Sequence, residues 1–159
     1  MRFNSIILPS IVVFLASCSG SDAKKLINIS ASLPASFNFN QMDLKVINST
    51  INPKRATMST LYGNNPALSV MKSGSPHQDG EVLALVTWKQ QEDEHWFGAR
   101  IPGALLSVDL IKTIPDHHKG DPKIVYQRYE GSNLTLTTDT AGRTKNIRYM
   151  LSQKPSILP

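Results

Sequence analysis

A continuous apolar run, Val82–Trp88, is the feature that most constrains the fold of this chain. The run has the length of a strand, and it begins just after an Asp79-Gly80 turn and ends before a polar stretch. A strand that does not alternate between polar and apolar residues is buried on both faces. The run therefore predicts the central strand of a sheet, with other parts of the chain packed on either side.

Shorter segments with strand character lie on both sides of this run, separated by turn residues. The other predicted strands are Met42–Asn48, Thr57–Tyr62, Trp96–Ile101, Leu105–Ile114, Ile124–Glu130, Asn133–Thr138 and Asn146–Leu151. The last two flank residues 139–142, which predict a hairpin turn. Short connections favour antiparallel pairing, so we expect an α+β fold with an antiparallel sheet of about six strands drawn from these eight segments.

One helix is predicted between the second and third of these strands. Asn64 is a good N-cap, Pro66 suits the first turn and Gly74 suits the C-terminal end. The helix is short, roughly two turns. We therefore expect one or two short helices beside the sheet.

The N-terminus has the features of an export signal. Arg2 precedes an apolar run, Ile6–Leu15, that is too short for a stable membrane span. Leu15-Ala16-Ser17-Cys18 then resembles a bacterial lipobox, in which the cysteine is lipidated and becomes the new N-terminus. Several acyl chains give stable anchoring where one gives marginal binding. The alternative is a generic secretory signal with a cysteine near its cleavage site.

These features predict three segments. Residues 1–17 are a lipoprotein signal peptide, residues 18–40 are the lipidated Cys18 with a polar, flexible tether, and residues 41–159 form one domain. The residue after the cysteine is Ser19 rather than Asp, which favours the outer membrane by analogy with enteric bacteria. We therefore expect an exported protein of the cell envelope, lipid-anchored at the outer membrane and facing the periplasm.

Composition excludes several classes of function. One cysteine in 159 residues excludes a Cys-x-x-Cys-His haem attachment and a four-cysteine zinc site. Basic residues outnumber acidic ones by 17 to 12, but they are scattered, so no nucleic-acid partner is expected. Gly-rich phosphate loops, Gly-x-Ser-x-Gly elbows and His-x-x-x-His pairs do not occur in the sequence. We therefore assign no catalytic residues and no metal ligands.

Candidate ligand-binding residues lie around the two tryptophans. If Trp88 ends one strand and Trp96 begins the next, a hairpin brings the two rings near each other. An aromatic wall with polar anchors suits a small planar or anionic ligand. The predicted ligand-binding residues are Trp88, Lys89, His95, Trp96 and Arg100. The alternative is that both tryptophans pack in the core and the acidic loop between them is solvated.

Several segments of the chain resemble the cytochrome P-460 family domain. They are Thr57–Asn64, Asp79–Trp88, Gln90–Gly103 and, nearer the C-terminus, Tyr129–Gly131 and Tyr149–Lys154. The resemblance extends from about Lys45 to Pro159. It implies an exported haem-domain fold, an antiparallel sheet with flanking helices. Founding members of the family use a c-type haem cross-linked to a lysine and oxidise hydroxylamine, and others bind small gases such as nitric oxide.

This chain departs from the family pattern at the haem attachment. Founding members carry Cys-x-x-Cys-His near the C-terminus, whereas this chain ends in Ser-Gln-Lys-Pro-Ser-Ile-Leu-Pro. The resemblance also places the cross-linking lysine of the founders near Leu85. Covalent c-type haem is therefore excluded, and no haem-site residue carries over.

Three interpretations of function remain. The favoured one is a haem-less domain of this type, anchored to the membrane, that binds a small ligand or an envelope partner protein. The second is a redox or gas-binding protein that holds haem non-covalently, with His95 or a loop histidine as axial ligand. The third is a structural envelope protein.

Overall fold

The chain passes from each strand to its neighbour along one sheet. The computed structural model describes residues 27–116, 120–139 and 141–156. In these ranges the elements, in chain order, are a 3-10 turn at Ile29–Ala31, then β1 Lys45–Asn52, β2 Thr57–Gly63, α1 Asn65–Ser73, β3 Val82–Glu92, β4 Arg100–Ile114, β5 Lys123–Glu130, β6 Thr135–Leu136 and α2 Arg143–Leu151.

The six strands pair antiparallel in the order β1-β2-β3-β4-β5-β6. Antiparallel neighbours can be joined by short turns, because they need no crossover. The connection between β2 and β3 is longer, since it contains α1. The predicted α+β fold, an antiparallel sheet with two short helices, is therefore confirmed.

β3 is the central strand, as Val82–Trp88 predicted. Leu83, Ala84 and Val86 have no exposed surface, although successive side chains of a strand point to opposite faces. Both faces of β3 are therefore covered, which accounts for its uninterrupted apolar sequence.

The N-terminal part of the described chain covers one face of the sheet, called here the N-terminal face. Phe39 and Leu44 pack with Ala84, Val86 and the buried part of β4. Phe37 meets Tyr129 edge-on, with the ring centroids 4.8 Å apart. Residues 27–40, which the sequence assigned to the tether, thus contribute to the core in part. Residues 1–26, with the predicted signal peptide and Cys18, lie outside the described residues.

The helices cover part of the other face, called here the helix face. Ala67 and Met71 of α1 and Met150 of α2 belong to one cluster, together with strand residues that point to the same side. The strand residues in that cluster are Ile47, Leu61, Leu83, Leu85 and Ile111.

The helix α1 has the predicted boundaries. The Asn64 side chain accepts a hydrogen bond from the backbone N–H of Ala67 at 3.2 Å, and Gly74 ends the helix with a φ of 69°. Asn64 also donates to the carbonyl of Gly80 at 2.8 Å. One side chain therefore caps the helix and fixes the loop that enters β3.

The region between the tryptophans differs from the prediction. Trp96–Ile101 is not a strand, since β3 continues to Glu92 and β4 begins only at Arg100. Toward this end of the sheet, β3 pairs with β2 as far as Lys89, opposite Thr57. β4 pairs with β5 only from Ser107, opposite Glu130. Residues 90–106 therefore form a two-stranded arm that extends beyond the neighbouring strands. We call this segment the arm.

Pro102-Gly103 is usually a turn signal, but here it lies within β4. The register between β3 and β4 shifts between Trp88 and Gln90. A Cβ atom on Gly103 would lie 3.1 Å from the backbone oxygen of Lys89 and 2.8 Å from Gln91 Oε1. The missing side chain thus allows this irregular pairing, as glycine does at many bulges.

The predicted C-terminal hairpin is wrong. Asn146–Leu151 lies in the helix α2, and only Thr135 and Leu136 of the preceding predicted strand are extended in the sheet. Met150 is buried, and Ile147 and Leu151 pack against the same cluster. Apolar residues at i, i+3 and i+4 are typical of a helix, so the sequence did carry this signal.

Candidate functional site

The part of the helix face that the helices leave uncovered is a cleft of about 690 Å³. The β1–β2 hairpin forms one wall, α2 forms the other, and the middle strands form the floor. The lining residues are Thr50–Arg55, Thr57, Ser59, Leu85, Thr87, Ser107, Asp109, Arg128, Lys145, Asn146 and Tyr149.

A row of hydroxyl side chains crosses the floor of this cleft. Thr50 pairs with Ser59, Ser59 with Thr87 and Thr87 with Ser107, across four adjacent strands. We call these four residues the hydroxyl row. Ser59 Oγ and Thr87 Oγ1 lie 3.1 Å apart, within hydrogen-bond distance. The floor of the cleft is therefore polar, although the same face of the sheet is apolar beneath the helices.

A buried carboxylate lies at the inner edge of the cleft. Asp109 is 2% exposed, and its Oδ1 accepts hydrogen bonds from Arg128 Nη1 at 2.9 Å, from Asn146 Nδ2 at 3.2 Å and from the Tyr126 hydroxyl. Arg128 Nε also donates to Glu130 Oε1 at 2.6 Å. The network holds the guanidinium in place and ties α2 to the sheet.

The network changes the proton affinities of its members. The pKa of Tyr126 is raised, first by burial and then by its hydrogen bond to Asp109. Burial alone would lower the pKa of Arg128, but Glu130, Asp109 and Tyr126 together raise it. Arg128 therefore stays charged and Tyr126 stays neutral through the physiological range.

The cleft carries an excess of positive charge. Lys54 and Arg55 lie on the hairpin wall, and Lys145 lies on α2. Within the described ranges, none of these three forms an ion pair, whereas Asp109 is already paired with Arg128. Counting Arg128, the lining thus holds four cations and one carboxylate, Asp109, which is already paired.

The five residues predicted to bind ligand do not line this cleft. Trp88 is buried in the cluster of the N-terminal face, and its indole Nε1 donates to the carbonyl of Ala31 at 2.8 Å. Trp96 is 72% exposed at the tip of the arm, so the two rings are not brought together. Trp88 thus follows the core alternative, and Trp96 does not.

The remaining predicted residues are exposed on or near the arm. The side chain of His95 is 85% exposed, and its Nδ1 is 3.5 Å from Asp93. Arg100 pairs with Glu92 at 3.1 Å, and Lys89 is exposed. A role of these residues in ligand binding stays a prediction.

The fold and the cleft define an α+β domain whose antiparallel sheet carries a polar, basic cleft beside its C-terminal helix. A family model described as Cytochrome P460 matches residues 39–151, so the chain belongs to the cytochrome P-460 family. A search of curated proteins finds no match. The resemblance stated from the sequence is thereby confirmed, and the family is haem-related.

The cleft does not fit the usual ligation of a haem. Its lining contains no histidine, cysteine or methionine, and the two histidines among the described residues, His77 and His95, lie elsewhere. Haem iron is commonly held by histidine, thiolate, methionine or tyrosine. Tyr149 is the lining residue of that set, and its hydroxyl is 3.2 Å from Thr50 Oγ1. The floor is also mainly polar, whereas cofactor sites are predominantly apolar.

Leu85 lies in the cleft floor, at the position that the resemblance matched to the cross-linking lysine. An apolar side chain there cannot form such a cross-link. Among the described residues there is also no group of three or more His, Cys, Asp or Glu side chains that could hold a metal ion.

The cleft residues were missed by sequence reasoning because each is ordinary in isolation. The members of the hydroxyl row come from four strands and are far apart in the chain. One signal was present: β4 alternates so that Ser107 and Asp109 share a face with buried Ile111. Polar residues in phase with an apolar core position indicate a site or a network.

Proposed function

We propose that this protein is a lipid-anchored envelope lipoprotein whose domain binds a small anionic ligand in the cleft, without covalent haem. The observation that carries the proposal is the set of unpaired cations, Lys54, Arg55 and Lys145, around the hydroxyl row. Proteins avoid like charges around a shared space unless an anion or solvent compensates them.

The chemistry of the cleft supports an oxyanion such as a phosphate or a carboxylate. Hydroxyl groups of serine and threonine donate to oxyanions, and the charged side chains add charge-assisted hydrogen bonds. The guanidinium of Arg128 is fixed by Asp109 and Glu130, so less side-chain entropy is lost on binding. A space of about 690 Å³ lies within the usual size range of small-molecule sites.

Titration of the purified protein with inorganic phosphate and with small carboxylates tests this proposal. We expect an anion to raise the melting temperature and to bind with salt-sensitive affinity. Lys145→Ala and Arg55→Ala weaken binding, whereas Lys89→Ala, an exposed cation outside the cleft, leaves it unchanged. Equal binding by all three variants would contradict a site in the cleft.

An absorption spectrum of the same preparation, before and after haem addition, tests the haem-binding alternative. We expect no Soret band that survives gel filtration. A stable band that Tyr149→Phe abolishes would replace the anion proposal with non-covalent haem binding.

The anchor is tested at Cys18. In the native host, Cys18→Ala is expected to move the protein from the membrane fraction to the soluble fraction and to block lipoprotein processing. Ser17→Ala is the matched control, because alanine also suits the residue before a lipidated cysteine. A Cys18→Ala protein that is processed normally and stays membrane-bound would refute lipid anchoring.

A further inference from the structure

The tip of the arm exposes two adjacent aromatic side chains. Trp96 is 72% exposed, and Phe97 is fully exposed. The loop has a fixed shape: Ala99 donates to the carbonyl of Trp96 at 3.0 Å, Asp93 donates to the carbonyl of Ala99 at 3.1 Å, and Gly98 has a φ of 79°. Adjacent exposed rings on an ordered turn indicate a contact with something apolar.

Residues 28–31 lie against the base of the same arm. Asn28 Nδ2 donates to the carbonyl of Pro102 at 2.6 Å, and Ala31 receives the indole N–H of Trp88. Ile27 and Ile29 are 60% and 78% exposed. One end of the sheet therefore combines the arm with residues 27–31, and both carry exposed apolar side chains.

Few residues separate the described domain from the predicted anchor. Residues 19–26 separate Cys18 from Ile27, and a chain of nine steps reaches at most about 30 Å. A lipid on Cys18 would therefore hold the end of the domain that bears Ile27 close to the bilayer. The arm extends from that same end.

We propose that the arm tip contacts the lipid surface, with Trp96 and Phe97 in the headgroup region. This inference rests on the lipid anchor proposed above. Tryptophan is favoured at membrane interfaces because its ring is apolar and its N–H still reaches water. Tethering makes this contact effectively intramolecular, so a weak interaction of two rings is sufficient.

The charges beside the tip select the type of lipid surface. Glu92 is paired with Arg100, and Asp93 accepts a hydrogen bond from the backbone of His95 at 2.8 Å. Counting these and Glu94, residues 92–100 carry three carboxylates against one arginine, so an anionic surface would repel the tip. The tip therefore fits a zwitterionic surface, such as one rich in phosphatidylethanolamine.

Tryptophan fluorescence can test this contact, because the chain has only two tryptophans and Trp88 is buried. The lipidated, processed protein is reconstituted into zwitterionic vesicles with brominated acyl chains, which quench nearby rings. We expect wild-type emission to shift to the blue and lose part of its intensity, and the Trp96→Phe protein to lose none. Leu136→Ser, which changes an exposed apolar residue on β6, serves as the control and should quench like the wild type.

The outcomes separate the two proposals. Wild-type protein that floats with the vesicles while its Trp96 emission stays unquenched refutes the tip contact and leaves the anchor standing. Protein that neither floats nor quenches refutes both. Phe97→Ser gives a second variant that keeps the reporter: it should reduce the quenching of Trp96, and undiminished quenching would contradict a role for the pair.

Discussion

The helix face has two parts, an apolar cluster and the polar floor of the cleft, and the same strands supply both. Leu83 and Ile111 lie under the helices in an apolar cluster, whereas Thr87 and Ser107, four residues away on the same strands, form the polar floor of the cleft. Side chains four residues apart on a strand point to the same side. A single sheet face can therefore supply a core at one end and a binding surface at the other, by residue choice alone.

The largest effect is expected in the apolar part. Leu83→Ala should destabilise the domain by about 2–5 kcal/mol, because Leu83 is fully buried and its truncation leaves a cavity. Chemical denaturation measures the loss. Leu85→Ala, in the floor of the cleft, should lower the free energy of unfolding by less, because water can fill part of the space. Equal losses would mean that the two parts are packed alike.

The boundary between the two parts is Asp109. Asp109→Asn should cost about 1–3 kcal/mol, because it removes the buried charge that pairs with Arg128 and replaces one acceptor oxygen by an NH2 donor. Glu130→Gln is the matched control, since Glu130 also pairs with Arg128 but is half-exposed, and such pairs contribute about 0–1 kcal/mol. A larger loss for Glu130→Gln than for Asp109→Asn would show that the buried network does not carry the stability.

Alkaline pH should separate this network from the rest of the core. The raised pKa of Tyr126 means that the folded protein keeps a proton that the unfolded chain loses above its ordinary value of about 10. The stabilising contribution is present below that pH and is lost as the pH rises through the folded pKa. Tyr126→Phe should therefore weaken the fall in stability above about pH 10.

Burial also raises the pKa of Tyr62, on the N-terminal face. The Tyr126→Phe protein should still lose some stability at alkaline pH. This loss should be smaller in the Tyr62→Phe, Tyr126→Phe double variant. Denaturation at a series of pH values measures both. A Tyr126→Phe protein with an unchanged slope would remove the network from the explanation.

The smallest effect on stability is expected in the hydroxyl row. Thr87→Val keeps the shape of the side chain and removes its hydrogen bond to Ser59, so the free energy of unfolding should change by less than about 1 kcal/mol. Anion binding, in contrast, should weaken clearly. Loss of stability with unchanged binding would assign the row to the core rather than to a site.

The features predicted correctly from the sequence depend on local signals. The strand β3 follows from its own composition, and α1 follows from its cap residues Asn64 and Gly74. α2 was missed because its six-residue window also suits a strand, and tertiary contacts of Asn146 and Met150 decide its conformation. Intrinsic preferences are weak when packing decides.

The cleft could not be predicted in the same way. It depends on the register of four strands, and a shift of one residue would turn the hydroxyl row to the opposite face. The position of Trp96 depends on how far β3 and β4 extend beyond the neighbouring strands. The sequence did not predict this extension, because Pro102-Gly103 is usually a turn signal but here lies within β4.

The strand order has a further consequence, for the kinetics of folding. Each strand pairs with the next in the chain, so the sheet can form by successive local closures, of which the β2–β3 closure is longer because it contains α1. Contacts between residues far apart in sequence are made by the N-terminal and C-terminal parts of the described chain. Trp88 donates to the carbonyl of Ala31, and Ser156 donates to the carbonyl of Ile47 at 2.9 Å. We therefore expect the sheet to form before its covers dock. In that case Leu83→Ala slows refolding, whereas substitutions at Phe37 or Met150 mainly accelerate unfolding.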